Sequence, residues 1–517
     1  MRLAIVGGGL AGCEAAWQAA HAGVTVDLYE MRPHRSGPAH KTGSLAELVC
    51  SNSLRGAALE NAVGLLKEEL AQLDSIVILS AREAAVPAGG ALAVDRELFA
   101  RAVETRIGAH PNIVVHREEV SRISLEEPTI VACGPLPSET LLAEIDRILN
   151  EVTLRQAQGD IRQAQGDIRQ AQGDIRQAQR DIRQAQGDIR QAQGDNRQAQ
   201  GDNEPGRFSV RLHYYDAASP IVAASSVDET AMYRKSRYDK GDGDDYLNIP
   251  LDRQQYARLV ADLRTLPRHS PKEFEADDAA GTPYFEGCLP IEEMADRGEE
   301  TLRFGPLKPV GLRDPRTGET PYAVVQLRKE NAQGSAYNLV GFQTRLSWPA
   351  QKEAFGKLPG LAHAEWLRLG VMHRNTFIDS PRLLDPSLRL RGTRGLYFAG
   401  QITGAEGYVE AAACGAIAGI AASRRMRGLR DVEIPRASAL GAVIAHLQNT
   451  HTADFQPANV TWAPFPEVET RIRDKRERRR QAAERALTAI EQFKHEIGRT
   501  APELKLTAAG SGTEIPV

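Results

Sequence analysis

A short apolar run ending in a glycine turn constrains this chain more than any other feature: Leu3-Ala-Ile-Val-Gly7-Gly8-Gly9-Leu10-Ala11-Gly12, with Glu30 eighteen residues after the last glycine. Four apolar residues bounded by glycine are too few for a helix and read as a buried strand. Gly7 permits the tight turn, Gly9 lets backbone approach a pyrophosphate, and Gly12 lets the next helix pack close on the strand. Ala15, Ala16, Trp17, Ala19 and Ala20 read as that helix, Gly23 as its end and residues 24–29 as a second strand. An anion would sit on the helix N–H groups, within the stretch Gly7, Gly8, Gly9, Leu10, Ala11 and Gly12, and Glu30 is placed to accept from a ribose hydroxyl. A plain strand-to-helix turn would need the glycines but not the second strand with its terminal carboxylate. The whole pattern therefore predicts a dinucleotide site.

At 517 residues and 42% hydrophobic content the chain can bury a large core and should hold two or three domains. Met1-Arg2 leads straight into a core strand, with no signal-peptide pattern and no run of eighteen apolar residues, so a soluble cytoplasmic protein without membrane contact is expected. A net charge of -4 excludes a whole-protein basic field, and any RNA contact must come from local patches. The five cysteines, Cys13, Cys50, Cys133, Cys288 and Cys414, are odd in number and never spaced Cys-x-x-Cys. Reduced thiols are expected, the redox dithiol of a disulfide reductase is excluded, and no Cys/His cluster predicts a metal.

Residues 154–202 repeat a seven-residue unit typified by Ile161-Arg-Gln-Ala-Gln-Gly-Asp167. With at most one branched apolar residue per unit the segment cannot build a coiled-coil seam, which needs two. Its six glycines each cost a helix about 1 kcal/mol against alanine, so a frayed helix or disorder is expected. Eight Arg against seven Asp leave it nearly neutral, not a basic arm. Lengthening a loop from about 7 to about 56 residues adds only about 1.8 kcal/mol of closure entropy, so a fold can carry this expansion.

Outside the repeats, helix is expected through Asn61–Leu73, strands at 128–134, 322–327 and 395–400, a small-residue helix from Gly407 to Ala422, and a charged amphipathic helix from Glu469 to Ile497. The second glycine turn, at 400–407, joins a strand to a helix without the dinucleotide spacing. Large flavoproteins are built this way, the first turn taking the FAD pyrophosphate and the second closing over the ribityl chain and flavin. The strand before Gly134 resembles their middle motif, with Cys133 where Thr is usual. The fold class expected is α/β: an FAD-binding Rossmann-like domain of the glutathione-reductase type with an inserted α+β domain. Its parts are residues 1–150 (FAD-binding, first part), 154–203 (repeat insertion), 207–345 (inserted substrate or tRNA domain), 346–430 (FAD-binding, second part) and 431–517 (helical segment and tail). No second glycine fingerprint is present, so a nicotinamide reductant would visit without a Rossmann domain of its own.

Ala46-Glu-Leu-Val-Cys50-Ser-Asn52-Ser-Leu-Arg55, Asn61-Ala-Val-Gly64, Lys67-Glu68-Glu69 and Val86-Pro-Ala-Gly-Gly-Ala-Leu-Ala-Val-Asp-Arg96 follow one another, and then Tyr284-Phe-Glu-Gly-Cys288-Leu-Pro-Ile-Glu292. Val340-Gly-Phe-Gln-Thr344, Val371-Met-His373-Arg-Asn-Thr376 and Gly400-Gln-Ile-Thr-Gly-Ala-Glu-Gly-Tyr408 complete the series. In this order they resemble the bacterial folate- and FAD-dependent tRNA (uracil-5-)-methyltransferases over nearly all of the chain except 154–203 and the last thirty or so residues. The resemblance implies methylation of the T-loop uridine of tRNA to 5-methyluridine, with 5,10-methylenetetrahydrofolate as carbon donor, FAD as reductant and NAD(P)H recharging it. One departure is Tyr246-Leu-Asn-Ile249-Pro250, where the family often has cysteine.

Uracil C5 is a poor nucleophile until a thiolate adds at C6. Cys288, in a turn-like context away from the Rossmann strands, is favoured for that attack. Cys50, in a segment that resembles the family's flavin-adjacent loop, either maintains the flavin site or competes for the role. His373 is expected to stack folate against flavin, with Arg374 and Asn375 in support, although a lone histidine is often structural. Cofactor contacts are expected from Arg32, Asn52, Ser53, Leu54, Gly400, Gln401, Gly404, Gly407 and Tyr408 as well as the first turn. For tRNA, Arg234, Lys235, Arg237 and Lys240 interleave with aromatics, and Arg471, Arg473, Lys475, Arg476 and 478–480 add a basic stretch. A solvated charged face is the plainer reading of both. Cys13, Cys133 and Cys414 read as core. Competing readings are a wobble-uridine tRNA-modifying flavoprotein, a small-molecule flavin oxidoreductase and a non-catalytic tRNA-binding flavoprotein.

Overall fold

The computed structural model describes residues 2–155, 170, 211–269, 289–450, 455–467 and 472–498. The repeat segment lies outside the described residues except for Leu154, Arg155 and Gln170. At the N-terminus, strand Arg2–Val6 runs parallel to Thr25–Tyr29 on one side and Thr129–Val131 on the other, with Ile5 opposite Leu28 and Ile130. Ile113–His116 and Leu396–Phe398 complete a five-stranded parallel sheet in the order 396–398, 129–131, 2–6, 25–29, 113–116. Its central strands read as apolar runs because helices cover both faces of a parallel sheet.

Two of those helices lie against each other. Leu10–His21 starts at Gly9, and Tyr408–Met426 starts at Gly407. The second is rich in alanine and glycine because it meets the first backbone to backbone: a Cβ added at Gly415 would lie 2.2 Å from the Ala11 carbonyl oxygen, and one at Gly419 would lie 2.5 Å from that of Ala15. Glu14 is fully buried on the first helix and accepts from Gln18 Nε2 (2.7 Å), Ser75 Oγ (2.6 Å) and the Val77 N–H (3.2 Å). It thereby satisfies donors at the start of helix Ile76–Glu83 that would otherwise be orphaned.

A second core is built on a six-stranded antiparallel sheet in the order 233–234, 246–251, 323–329, 336–339, 221–223, 366–368. Helix Arg253–Thr265, closed at its start by a capping box between Asp252 and Gln255, packs on it. The second core does not stop at residue 345 as expected. Helix Trp348–Gly356 contributes Ala350, Ala354 and Phe355 to it, and strand Trp366–Arg368 forms its outer edge. Ser347 caps that helix and Pro349 sits in its first turn, a start signal readable in the sequence. Between the two layers stands a small sheet of Ser53–Gly56, Ala91–Val94 and Ala85–Val86.

The remaining elements fall close to expectation. Helix Ala62–Gln72 and strand Ala323–Lys329 are shifted by one or two residues, and the long helix runs on to Met426. The tail helix is Lys475–Glu496, starting late because Asp474 accepts from the Glu477 N–H as its cap. Among the described residues no helix is long and apolar enough to cross a membrane.

Candidate functional site

The first glycine turn opens on a cavity of about 130 Å³ walled by Gly7, Gly9, Leu10, Ala11, Glu30 and Arg32. Gly7 has φ +110°, and a Cβ on it would meet the Ala132 carbonyl oxygen at 2.4 Å. Gly12 is tighter still, with the Gly7 carbonyl oxygen 1.8 Å from a Cβ. Gly9 is the contrast, since a Cβ there would meet nothing within 4 Å. Two glycines thus close the turn on itself while the third leaves its backbone open to the cavity, at the start of a helix whose first N–H groups lack intrahelical acceptors. That arrangement fits a diphosphate.

Glu30, expected to accept from a ribose hydroxyl, lines the first cavity and is held by protein donors. Its Oε1 accepts from Arg32 N (2.9 Å) and Nε (2.8 Å), and its Oε2 from the Gly8 N–H (2.9 Å) and Arg32 Nη2 (3.0 Å). The four lone-pair positions of the carboxylate are therefore filled by protein donors. Burial pushes the Glu30 carboxyl up, but Arg32 and the Gly8 N–H outweigh it and hold it below its ordinary value. Arg32 also donates to Glu47 (2.8 Å).

The second glycine turn meets the first. A Cβ on Gly400, at φ +86°, would stand 2.8 Å from the Ala11 side chain. Gln401 and Tyr408 line the first cavity and also a second one of about 210 Å³, so the two spaces share a wall. Cys50, Ser53, Arg55, His373 and Asn375 also line the second cavity. His373 comes from strand Met372–Ile378, paired with Arg211–Ala217, whose Ala217 carbonyl lies 3.9 Å from Cys50 Sγ. Residues over 300 positions apart in sequence thus face one space, which can take a long cofactor with a planar end beside a thiol and an imidazole.

Several expected contacts fall elsewhere. The Asn52 amide is fully buried and faces away from both cavities: Nδ2 donates to the carbonyls of Val94 (3.0 Å) and Lys329 (2.9 Å), and Oδ1 accepts from Arg328 Nε (2.9 Å). It joins the small sheet to the antiparallel layer, and its side chain lines neither cavity. Leu54 is core, and a Cβ on Gly404 would meet the Phe455 ring at 2.7 Å, outside either cavity. Cys133, expected as core, packs against the core and also lines the first cavity, its thiol pushed up to about 12 by burial. Cys13 and Cys414 are core as expected. Cys288 lies outside the described residues, but Ile291, three residues later, donates its N–H to the carbonyl of Gln343 (2.7 Å), which lines the second cavity.

The expected RNA contacts divide. Arg237 is turned inward, donating to the Lys308 carbonyl (2.8 Å) and Gln326 (3.3 Å), and Arg234 is paired with Glu229 (2.8 Å). Lys235 pairs with Asp239, while Lys240 is exposed with its chain over Gly90. On the tail helix Arg476 pairs with Glu60 (2.7 Å) and Arg480 with Glu477 (2.7 Å), and Arg471 lies outside the described residues.

Residues that sequence reasoning passed over complete the site. Arg55 pairs with the buried Glu410, tying the Cys50 segment to the second glycine turn, where a Cβ on Gly407 would stand 2.4 Å from Glu410 Oε2. Arg96 donates to the carbonyls of Leu48 and Cys50 (3.3 Å). Both arginines sit inside motifs quoted above, and their charge within apolar sequence was the signal available.

The profile of the glucose inhibited division protein A family matches residues 2–430. Pelobacter propionicus has a relative described as "Methylenetetrahydrofolate--tRNA-(uracil-5-)-methyltransferase TrmFO", 46% identical over 513 residues, covering 99% of this chain and 98% of that one. The protein of the same description from Geobacter sulfurreducens is 48% identical over 489 residues, covering 95% and 98%. Among solved structures, Aquifex aeolicus GidA superposes with a TM-score of 0.62 at 14% identity over 97% of this chain and 74% of that one, a likeness of fold.

Proposed function

The chain belongs to the glucose inhibited division protein A family and, by identity over nearly its full length, to the TrmFO methyltransferases, and from that membership we propose that it methylates uracil C5 in tRNA with 5,10-methylenetetrahydrofolate. The finer form of the proposal is the T-loop uridine as target, 5-methyluridine as product, FAD as the resident cofactor, NAD(P)H as its reductant, and a cytoplasmic setting. The observation that supports it is the meeting of the two glycine turns on adjoining cavities, the second of them lined by Cys50 and His373.

The residues fit the cofactor. Gly9 and the helix behind it would receive the diphosphate, and Gly400, Gln401, Gly407 and Tyr408 would follow the chain toward the flavin. Bound and reduced, the flavin would supply the hydride that converts a transferred methylene to methyl. Everything else falls to the protein. A thiolate adds to C6 of the uracil, the electron pair moves to C5, and C5 attacks the one-carbon unit of the folate; loss of the C5 proton expels tetrahydrofolate and leaves a methylene on C5, and once that methylene has taken up hydride the thiolate leaves C6 as the ring double bond re-forms.

Cys288 is the reading for that thiolate, from its turn-like sequence context between Gly287 and Leu289-Pro290. The second reading is Cys50, favoured by its place on the cavity wall. His373, on the same wall, would stack on the pterin. Lys240 is the one of the four expected basic residues best placed to meet phosphate, with Arg234 and Lys235 reachable by exchange of their surface pairs.

Purified protein incubated with unmodified tRNA, methylenetetrahydrofolate and NAD(P)H should yield 5-methyluridine. No product, or modification confined to the wobble position, would refute the proposal. With 5-fluorouracil-containing tRNA, Cys288→Ala should lose the covalent adduct and Cys50→Ala should retain it; the reverse result makes Cys50 the nucleophile.

A further inference from the structure

Cys50 lies in a stretch with neither helix nor strand, so its backbone has no ladder to fix it. Two side chains take that place. The Tyr408 phenolic oxygen accepts from the N–H of Cys50 (2.8 Å) and of Ser51 (3.1 Å). On the other side the Arg96 guanidinium donates to the carbonyls of Cys50 (3.3 Å) and Leu48. We propose that Tyr408 and Arg96 are positioning residues, a two-sided clamp on the Cys50 backbone that sets where its thiol stands in the second cavity.

Each jaw is itself anchored. Tyr408 is the first residue of its helix, directly after Gly407, whose φ of +115° turns the chain into that helix. Arg96 is the first residue after the Asp95 cap of helix Arg96–Ala109, and Glu330 of the second layer holds its Nε at 2.7 Å. The thiol is thereby referred to three separate parts of the fold: the second glycine turn, the helix after the small sheet, and the antiparallel layer. A loop amide whose acceptor is one phenol differs from a ladder amide in a testable way, because removing a single oxygen frees it while the ring stays to fill the space.

The test uses the flavin-loaded full chain. In the wild type, amide hydrogen exchange at Cys50 and Ser51 should be slowed at least about 100-fold relative to free loop amides. Tyr408→Phe should remove most of that protection at these two amides and leave the strands unchanged. Alkylation of Cys50 by iodoacetamide, read by peptide mass spectrometry against the other four cysteines, should rise several-fold. Methyl transfer should lose kcat with the KM for tRNA unchanged; this last readout rests on the function proposed above, whereas exchange and alkylation do not. Arg96→Lys, which shortens the other jaw, should raise Cys50 alkylation in the same direction. Unprotected Cys50 and Ser51 amides in the wild type overturn the clamp even if both variants fail to fold. So does Cys50 alkylation within twofold of wild type in folded variants.

Discussion

Gly415→Ala tests the contact on which the cofactor cavity depends. The new methyl would stand 2.2 Å from the Ala11 carbonyl oxygen and 3.0 Å from the Ala11 Cα, and backbone cannot swing aside as a side chain can. Relief requires the helices Leu10–His21 and Tyr408–Met426 to part by about 1 Å, an overpacking of the kind that costs 1–3 kcal/mol. Alanine returns about 1 kcal/mol of helix propensity, so starting from the upper end of that range the net loss is about 2 kcal/mol. Gly108→Ala is the internal control, since it lies in helix Arg96–Ala109 and a Cβ there meets nothing within 4 Å. It should gain up to about 1 kcal/mol. Urea unfolding of both variants beside wild type gives the two signs. Because Ala11 also touches Gly400, Gly415→Ala should in addition purify with less FAD. Equal stability of the two variants would refute the close-contact reasoning, and normal FAD content in a destabilised Gly415→Ala would separate helix packing from the cavity.

Arg55→Met leaves the buried Glu410 carboxylate with the Val460 N–H (2.9 Å) but without its cation. With Arg55 36% exposed, the loss should be about 2 kcal/mol, less than the 3–5 kcal/mol of a fully buried pair, and urea unfolding measures it. Glu69 is pushed up to about 8 by burial, against the pull of the Ala439 and Leu440 N–H groups. The folded carboxyl keeps a proton that the unfolded one has already lost, so its contribution is fully present below the ordinary carboxyl value of 4.5 and declines as pH rises through about 8. The stability difference between wild type and Glu69→Gln should therefore change in disfavour of wild type from pH 5 to pH 8, and a constant difference would contradict the raised value. His373→Ala should weaken folate binding about tenfold, or about 1.4 kcal/mol, in a direct titration, with no change if the ring is structural.

The parts legible in the sequence were those whose cause is local. Gly7 to Gly12 and the alternating strand at Thr25–Tyr29 carry their own geometry, and the small residues of Tyr408–Met426 announce a close contact even without its partner. Asn52 was read as a cofactor contact because its neighbours are, but its bonds run to Lys329 and Arg328, some 276 positions away. Pairings at that distance leave no periodic trace. Spacing places Glu30 at the cavity wall but cannot reveal that Arg32 folds back on it. The end of the second layer was readable after all, in Ser347 and Pro349, and was passed over because the strand at 366–368 is short.

The buried Asn52 amide has a mechanical meaning. A residue held by Val94 on one side and by Lys329 and Arg328 on the other pins the small sheet to the antiparallel layer at this seam. Rotating one against the other would orphan buried donors and acceptors at about 1–3 kcal/mol each. Arg328 also donates to the Ser51 hydroxyl (3.4 Å), so the resistance to rotation reaches the residue next to Cys50. On the function proposed above, a uridine that reaches the neighbouring cavity has to leave its own stack to do so, and the RNA carries that rearrangement.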